Sequence, residues 1–170
     1  MSRAIEKAIE SENWKRARNL IRAGLRREPR DHWLLARLGL TYYEERAYSR
    51  ALRCEVRALS IQPSCPLALW DYAGSLQMLG REREALRTYK RLIRRGVRSL
   101  AYGRCGEGLA RARGLVADCH YRAGLSHQEL GQRRRAIKAL RKHLKLRGPG
   151  CHSIYRAEDI KRELADLLKT

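Results

Sequence analysis

The residues best suited to chemistry are histidines and cysteines in the last third of the chain. His120 and His127 are seven residues apart, so a helix places them on one face about 10 Å apart. Imidazole and thiolate groups bind zinc, and Cys119, Cys151 and His152 lie near in sequence. No recognised ligand spacing is present, however, and one ion does not easily reach both histidines. We therefore expect partly buried, hydrogen-bonded histidines, and neither a metal nor another cofactor.

Motifs typical of catalysis are absent from the sequence. It contains no glycine-rich phosphate loop, no nucleophile elbow and no HExxH zinc motif. The glycines at 103, 106 and 108 follow no predicted strand, so they indicate a loop and not a phosphate site. We therefore expect no enzyme and no small-molecule ligand.

Composition favours an all-helical protein, because Phe is missing and Val, Ile and Thr never alternate as they do in strands. No apolar run approaches the ~20 residues of a membrane span, and the polar N-terminal residues do not resemble a secretory signal. Five cysteines are scattered without a CxxC motif, which is typical of reduced thiols: Cys54, Cys65, Cys105, Cys119 and Cys151. We therefore expect a cytoplasmic protein.

The net charge is the outlying feature of the composition. Lysine and arginine number 38 against 18 acidic residues, giving a formal charge of +20. A field of this sign attracts polyanions such as nucleic acid, an acidic protein surface or anionic lipid. A solvated basic surface without a specific polyanion is the alternative that composition leaves open.

The segment from Trp33 to Pro63 shows how the chain is organised. Apolar and small residues recur there at helical spacing on two successive helices: Leu35, Leu38, Gly39 and Tyr42 on the first, and Ala51, Glu55 and Ala58 on the second. Small residues permit two helices to pack closely, and Pro63 cannot continue a helix. The segment therefore predicts a helical hairpin.

This hairpin resembles a tetratricopeptide repeat, a helix–turn–helix motif of 34 residues. The family usually has a small residue, an aromatic residue, two alanines and a proline where this segment has Gly39, Tyr42, Ala51, Ala58 and Pro63. Glu55 departs from the pattern, because the family usually has an aromatic residue there. A carboxylate at that place requires a partner, such as an arginine, or partial exposure.

The same frame fits the neighbouring segments, with units at about 1–31, 32–65, 66–99 and 117–150. An insertion at 100–116 interrupts the period and lengthens the first helix of the last unit to roughly 108–130. A capping helix follows at 153–169. The resemblance thus implies one all-α domain over 1–170, a right-handed superhelical solenoid of about four repeat-like helix–turn–helix units with a C-terminal cap.

In this family the first helices line a concave groove, so the resemblance implies a surface there for a partner protein or peptide. Tryptophan and tyrosine anchors dominate binding energies in such surfaces. The residues expected to line it are Trp33, Ala36, Arg37, Leu40, Tyr43, Trp70, Gln77, Tyr121, Arg122, Leu125 and Gln128. The alternative is that tight winding, or the C-terminal helix folding back, buries this apolar stripe.

Basic residues of the second helices face away from that groove in the family frame. Those expected to contact a polyanion are Arg50, Arg53, Arg57, Arg87, Arg91, Arg94, Arg135, Lys138, Arg141 and Lys142. The favoured function is a non-catalytic adaptor or scaffold that binds a protein or peptide in the groove. The alternatives are a nucleic-acid-associated accessory subunit using the basic convex surface, or a subunit docking on an acidic protein in a larger assembly.

Overall fold

Residues 2–169 are described by the computed structural model of the chain, and they fold into nine α-helices without a strand. The helices are α1 (Ser2–Glu10), α2 (Trp14–Arg27), α3 (His32–Glu44), α4 (Tyr48–Ile61), α5 (Pro66–Met78), α6 (Glu82–Tyr102), α7 (Leu109–Glu129), α8 (Arg133–Leu146) and α9 (Ala157–Lys169). The all-helical class is confirmed. The first and last residues of the predicted domain, 1 and 170, lie outside the described residues.

The helices form two compact units, one ending at Leu79 with α1 to α5 and one beginning at Gly80 with α6 to α9. In each unit, helices that follow one another in the chain pack together, and α3 also contacts α5. This is the packing of successive helical hairpins joined by short turns. No helix among the described residues combines the length and the apolar character that crossing a bilayer requires.

Four turns between successive helices share one backbone feature. Each has a residue with positive φ two positions after one helix ends and two before the next begins: Glu12, Arg46, Gly80 and Gly131, with φ of 54°, 59°, 71° and 68°. The first three are 34 residues apart, which is the repeat length of the resembled family. Gly131 comes 34 plus 17 residues after Gly80, and the predicted insertion at 100–116 is 17 residues long.

The extra residues lengthen α6 and α7 and form a tight turn between them. The helical backbone of α6 is interrupted at Gly96, with φ 72° and ψ 161°. In the turn, a Cβ on Gly103 would lie 2.4 Å from the Ser99 carbonyl oxygen, and one on Gly106 would lie 2.3 Å from that of Ala101. Only glycine fits such approaches, which explains why this segment is rich in it.

Small residues at the helix contacts are buried, as the hairpin pattern predicts. Ala51 and Ala58 have no exposed surface. One cluster of apolar residues in the first unit packs α1, α2, α3 and α4 together, and it includes Ile5, Ile21 and Leu34. Larger side chains at the two alanines would separate these helices, because protein interiors are close-packed.

Glu55, the departure from the repeat pattern, is fully buried in the first unit. The hydroxyl of Ser75 donates a hydrogen bond of 3.1 Å to its Oε1, so its partner is a serine and not the arginine or the solvent that the sequence suggested. A Cβ on Gly39 would lie 3.1 Å from the Glu55 side chain. Burial, together with the nearby charge of Asp71, raises the pKa of Glu55 to about 8. The carboxyl is therefore mostly protonated at neutral pH.

Candidate binding surfaces

Helix α3 places several predicted groove residues at one face of the first unit. An N-cap orients the start of the helix, since the Asp31 carboxylate accepts hydrogen bonds from the backbone N–H groups of Trp33 and Leu34. Leu40 and Tyr43 are half-buried, whereas Ala36 has no exposed surface. Ala36 therefore contributes to helix packing and offers nothing for a ligand to contact.

Trp33 is partly covered by its own neighbours. Its ring packs against the apolar cluster of the first unit, and the Arg37 guanidinium lies 5.5 Å from the ring centroid. Arg37 Nε is also 2.7 Å from Glu6 Oε1 on α1. The Arg37 guanidinium thus interacts with both the Glu6 carboxylate and the face of the indole ring. These contacts hold the Trp33 and Arg37 side chains in place on α3.

Helix α5 contacts α3 and carries further partly exposed residues. Trp70 and Gln77 are half-buried at i and i+7, and Met78, one residue further, is 44% exposed. Tyr43 stands edge-on to Tyr48, with ring centroids 5.3 Å apart. We call Leu40, Tyr43, Trp70 and Met78 the α3–α5 surface. It consists of partly exposed apolar groups carried on two contacting helices.

In the second unit, α9 packs on the corresponding residues of α7. Tyr121 is only 8% exposed and donates a hydrogen bond of 2.9 Å to Glu163 Oε1. Its ring centroid lies 4.4 Å from that of Tyr155, and Leu125 packs into the same cluster. The C-terminal helix thus contacts this part of the stripe, as one alternative from the sequence anticipated. Arg122 donates to the Tyr89 hydroxyl, and Gln128 is exposed.

The segment that leads into α9 is held on α7 by contacts that sequence reasoning did not identify. Asp118 accepts hydrogen bonds from the Ser153 hydroxyl and, at 3.0 Å, from the Ile154 backbone N–H. The His152 backbone crosses α7 at Gly114, where a Cβ would lie 2.0 Å from the His152 carbonyl oxygen. Burial raises the pKa of Asp118, although the hydrogen bonds from Ser153 and Ile154 oppose this shift. A glycine and an acid within a helix were the only sequence signals for this contact.

All ten basic residues predicted to contact a polyanion are exposed, three on α4 in the first unit and seven on α6 and α8 in the second. On α8, cations recur at 135, 138, 142 and 145, a spacing of three, four and three that places them on one helical face. This face borders a groove in the second unit.

The groove lies between α6 and α8, with α7 beneath, and has a volume of about 650 Å³. Ile93 of α6, Ala123 of α7 and Ala139 of α8 give it an apolar lining, together with His120 and His127 of α7. Its cations are Lys90 and Arg94 from α6 and Arg135, Lys138, Arg141, Lys142 and Lys145 from α8. We call this the basic groove.

The two histidines of the groove are not arranged around an ion. His127 Nδ1 lies 2.8 Å from Gln132 Oε1, an intramolecular hydrogen bond. Burial, followed by the positive charge of Lys142, lowers the pKa of His120 to about 4. Burial also lowers the pKa of His127, so both imidazoles are mainly neutral at pH 7. His143, the third histidine of this unit, is fully buried with Nδ1 2.9 Å from the Ala117 carbonyl oxygen.

Comparison with known proteins bears on both fold and family. Residues 118–145 match the sequence profile of the tetratricopeptide repeat. No curated protein matches the chain significantly. Among solved structures, the MamA RS-1 ArsTM double mutant superposes with a TM-score of 0.71 at 16% identity, covering 98% of this chain and 80% of the other.

Two further solved structures have the same fold. MamA 41-end from Desulfovibrio magneticus RS-1 superposes with a TM-score of 0.70 at 17% identity. The match covers 98% of this chain and 80% of the MamA chain. The Sgt2 TPR domain from Aspergillus fumigatus has a TM-score of 0.58 at 19% identity, covering 82% of this chain and 78% of its own. Residues 118–145 thus match one tetratricopeptide repeat, and most of the chain has the same fold as these solved structures.

Proposed function

We propose that the protein is a non-catalytic adaptor that binds an apolar segment of a partner protein on the α3–α5 surface. Repeat proteins of this kind use the extended surfaces of their stacked units for binding, and tetratricopeptide-type folds generally mediate protein–protein interaction. The observation that carries the proposal is the partial exposure of Leu40, Tyr43 and Trp70 on two contacting helices.

The proposed mechanism is burial of the partner's side chains against these groups. Removing apolar surface from water contributes about 25 cal/mol per Å², although immobilising the partner offsets much of it. Aromatic anchors therefore decide the affinity, and truncating one costs about 2 kcal/mol or more, roughly 30-fold in Kd. Trp33 and Arg37, already packed together, would form the rim and not the centre of this surface.

The test is capture of partners from the native cell by tagged protein, followed by quantitative mass spectrometry. Leu40→Ser with Tyr43→Ser should lose a partner that the wild type enriches. Val56→Ser is the matched control, because Val56 is 51% exposed on α4 and outside the surface. Circular dichroism must show equal helicity in all variants. Equal capture by the wild type and the double variant would contradict the proposal.

We also propose a cytoplasmic location, where the five cysteines would stay reduced. None of them forms a disulfide within the described residues. Fractionation of the native cell, followed by thiol labelling of the protein, tests this. The alternative functions rest on the exposed basic residues, and the basic groove makes one of them specific enough to argue below.

A further inference from the structure

We propose that the basic groove binds an acidic amphipathic helix of a partner protein. The groove lies within the second unit, between α6 and α8. It is separate in sequence from the α3–α5 surface, so this inference does not depend on the function proposed above.

The lining matches one face of an amphipathic helix. Ile93, Ala123 and Ala139 come from three different helices and meet in the same groove. Helices that bind in grooves insert apolar side chains spaced at i, i+3 or i+4 and i+7. A volume of about 650 Å³ accommodates several such side chains, while the backbone of the bound helix stays at the groove mouth.

The rims supply the charge complementarity. Lys90 and Arg94 border the groove on the α6 side, and the four-cation stripe of α8 borders it on the other. No acidic residue belongs to the lining, and among the described residues none of the lining cations forms an ion pair with a carboxylate. A helix with acidic residues on both flanks would pair with these rims.

Length and chemistry favour a helix over other polyanions. The stripe from Arg135 to Lys145 spans about 15 Å, close to three helical turns. No tryptophan or tyrosine lines the groove, and its two imidazoles, His120 and His127, are buried or half-buried, so bases of a single strand would find little stacking surface. Phosphates of a duplex or a bilayer would contact the cations of the rims but leave the apolar lining exposed to water. The apolar face of a bound helix would bury that lining.

The test uses a synthetic peptide of about 18 residues, with leucines along one helical stripe and glutamates on both flanks. Fluorescence anisotropy measures its affinity for the full-length protein at about 0.15 M salt, where weak long-range attraction is screened. Exposed ion pairs are individually weak, so Lys138→Ala with Lys142→Ala should weaken binding about five- to tenfold. Ile93→Ser should also weaken it, and this loss should persist at higher salt.

The matched control is Arg98→Ala with Arg134→Ala. It removes the same charge from exposed positions of α6 and α8 that do not line the groove, and it should change the affinity less than twofold. Circular dichroism confirms that each variant is folded.

Three results would overturn the proposal. One is equal binding of a peptide with the same composition but permuted order, which would mean that charge alone attracts the peptide. Another is equal loss in the control variant. The third is tighter binding of duplex RNA, duplex DNA or phosphatidylserine vesicles than of the peptide, with the same dependence on Lys138 and Lys142, which would assign the groove to phosphates.

Discussion

The two compact units use the same hairpin turn but hold their helices together with different contacts. The first unit is organised around an apolar cluster, with one neutral carboxyl, Glu55, buried beside a serine. The second adds polar contacts, in which Asp118 and Tyr121 of α7 hold the segment and helix that follow α8. Small residues such as Ala36 permit close packing without polar contacts, whereas a bulky or charged residue at a helix contact requires a specific partner.

Corresponding arginines show the same contrast. Arg37 and Arg122 each lie nine residues before the positive-φ residue of the turn that follows their helix, Arg46 and Gly131. In the first unit Arg37 lies between Glu6 and the Trp33 ring, whereas in the second Arg122 donates to the Tyr89 hydroxyl. Two side chains at equal distance from a turn thus have different partners, because the helices packed against them differ.

The largest expected effect comes from separating the C-terminal segment from α7. Gly114→Ala places a Cβ 2.0 Å from the His152 carbonyl oxygen, so the crossing backbone must move. We expect a loss of about 3 kcal/mol in the free energy of unfolding, measured by chemical denaturation, and faster proteolysis after residue 148. Gly148→Ala is the control, because nothing lies within 4 Å of its Cβ. Equal stability of the two variants would show that the polar contacts of the second unit do not depend on this crossing.

A smaller effect is expected from the buried carboxyl of the first unit. The folded-state pKa of Glu55, about 8, lies above its ordinary value of 4.5. Its stabilising contribution is therefore complete below pH 4.5 and lost as pH rises through 8. Glu55→Gln should remove this dependence and increase stability by about 2 kcal/mol near pH 8.

Denaturation curves of the wild type and Glu55→Gln between pH 5 and about 9 check the buried-carboxyl prediction. Glu84→Gln is a suitable control, because Glu84 lies near the protein surface, where Arg81 lowers its pKa. Wild-type stability that does not fall relative to Glu55→Gln over this range would show that Glu55 is ionised in the folded protein.

The smallest effect is expected at the tyrosine of α7. Tyr121→Phe removes the hydrogen bond to Glu163 while keeping the ring in its cluster. It should cost about 1 kcal/mol, and hydrogen exchange should accelerate mainly in α9. Tyr102→Phe, at a side chain 71% exposed, should change nothing. Uniform acceleration throughout the second unit would mean that α9 is not held locally.

Much of the fold follows from the sequence because its signals are local. The spacing of small and apolar residues predicted the hairpin around Gly39 and Ala51, and the glycines near 103–108 indicated the turn between α6 and α7. The candidate surfaces were less predictable. The basic groove was missed because Ile93, Ala123 and Ala139 meet only when α6, α7 and α8 are packed. Several cations of the basic groove, such as Arg135 and Lys138, were identified from the sequence, but only as part of a general basic surface.

The sequence by itself determined the helical class and the residues that permit close helix contacts, because helical periodicity and side-chain size act between residues near in sequence. The 34-residue period came from the resemblance to a known repeat. Only the tertiary structure decided that Glu55 is buried with Ser75, that Gly114 receives the His152 backbone, and that cations of α8 face apolar groups of α6 and α7. Burial, pKa and groove shape depend on which distant residues come into contact, and the spacing along the chain does not specify these contacts.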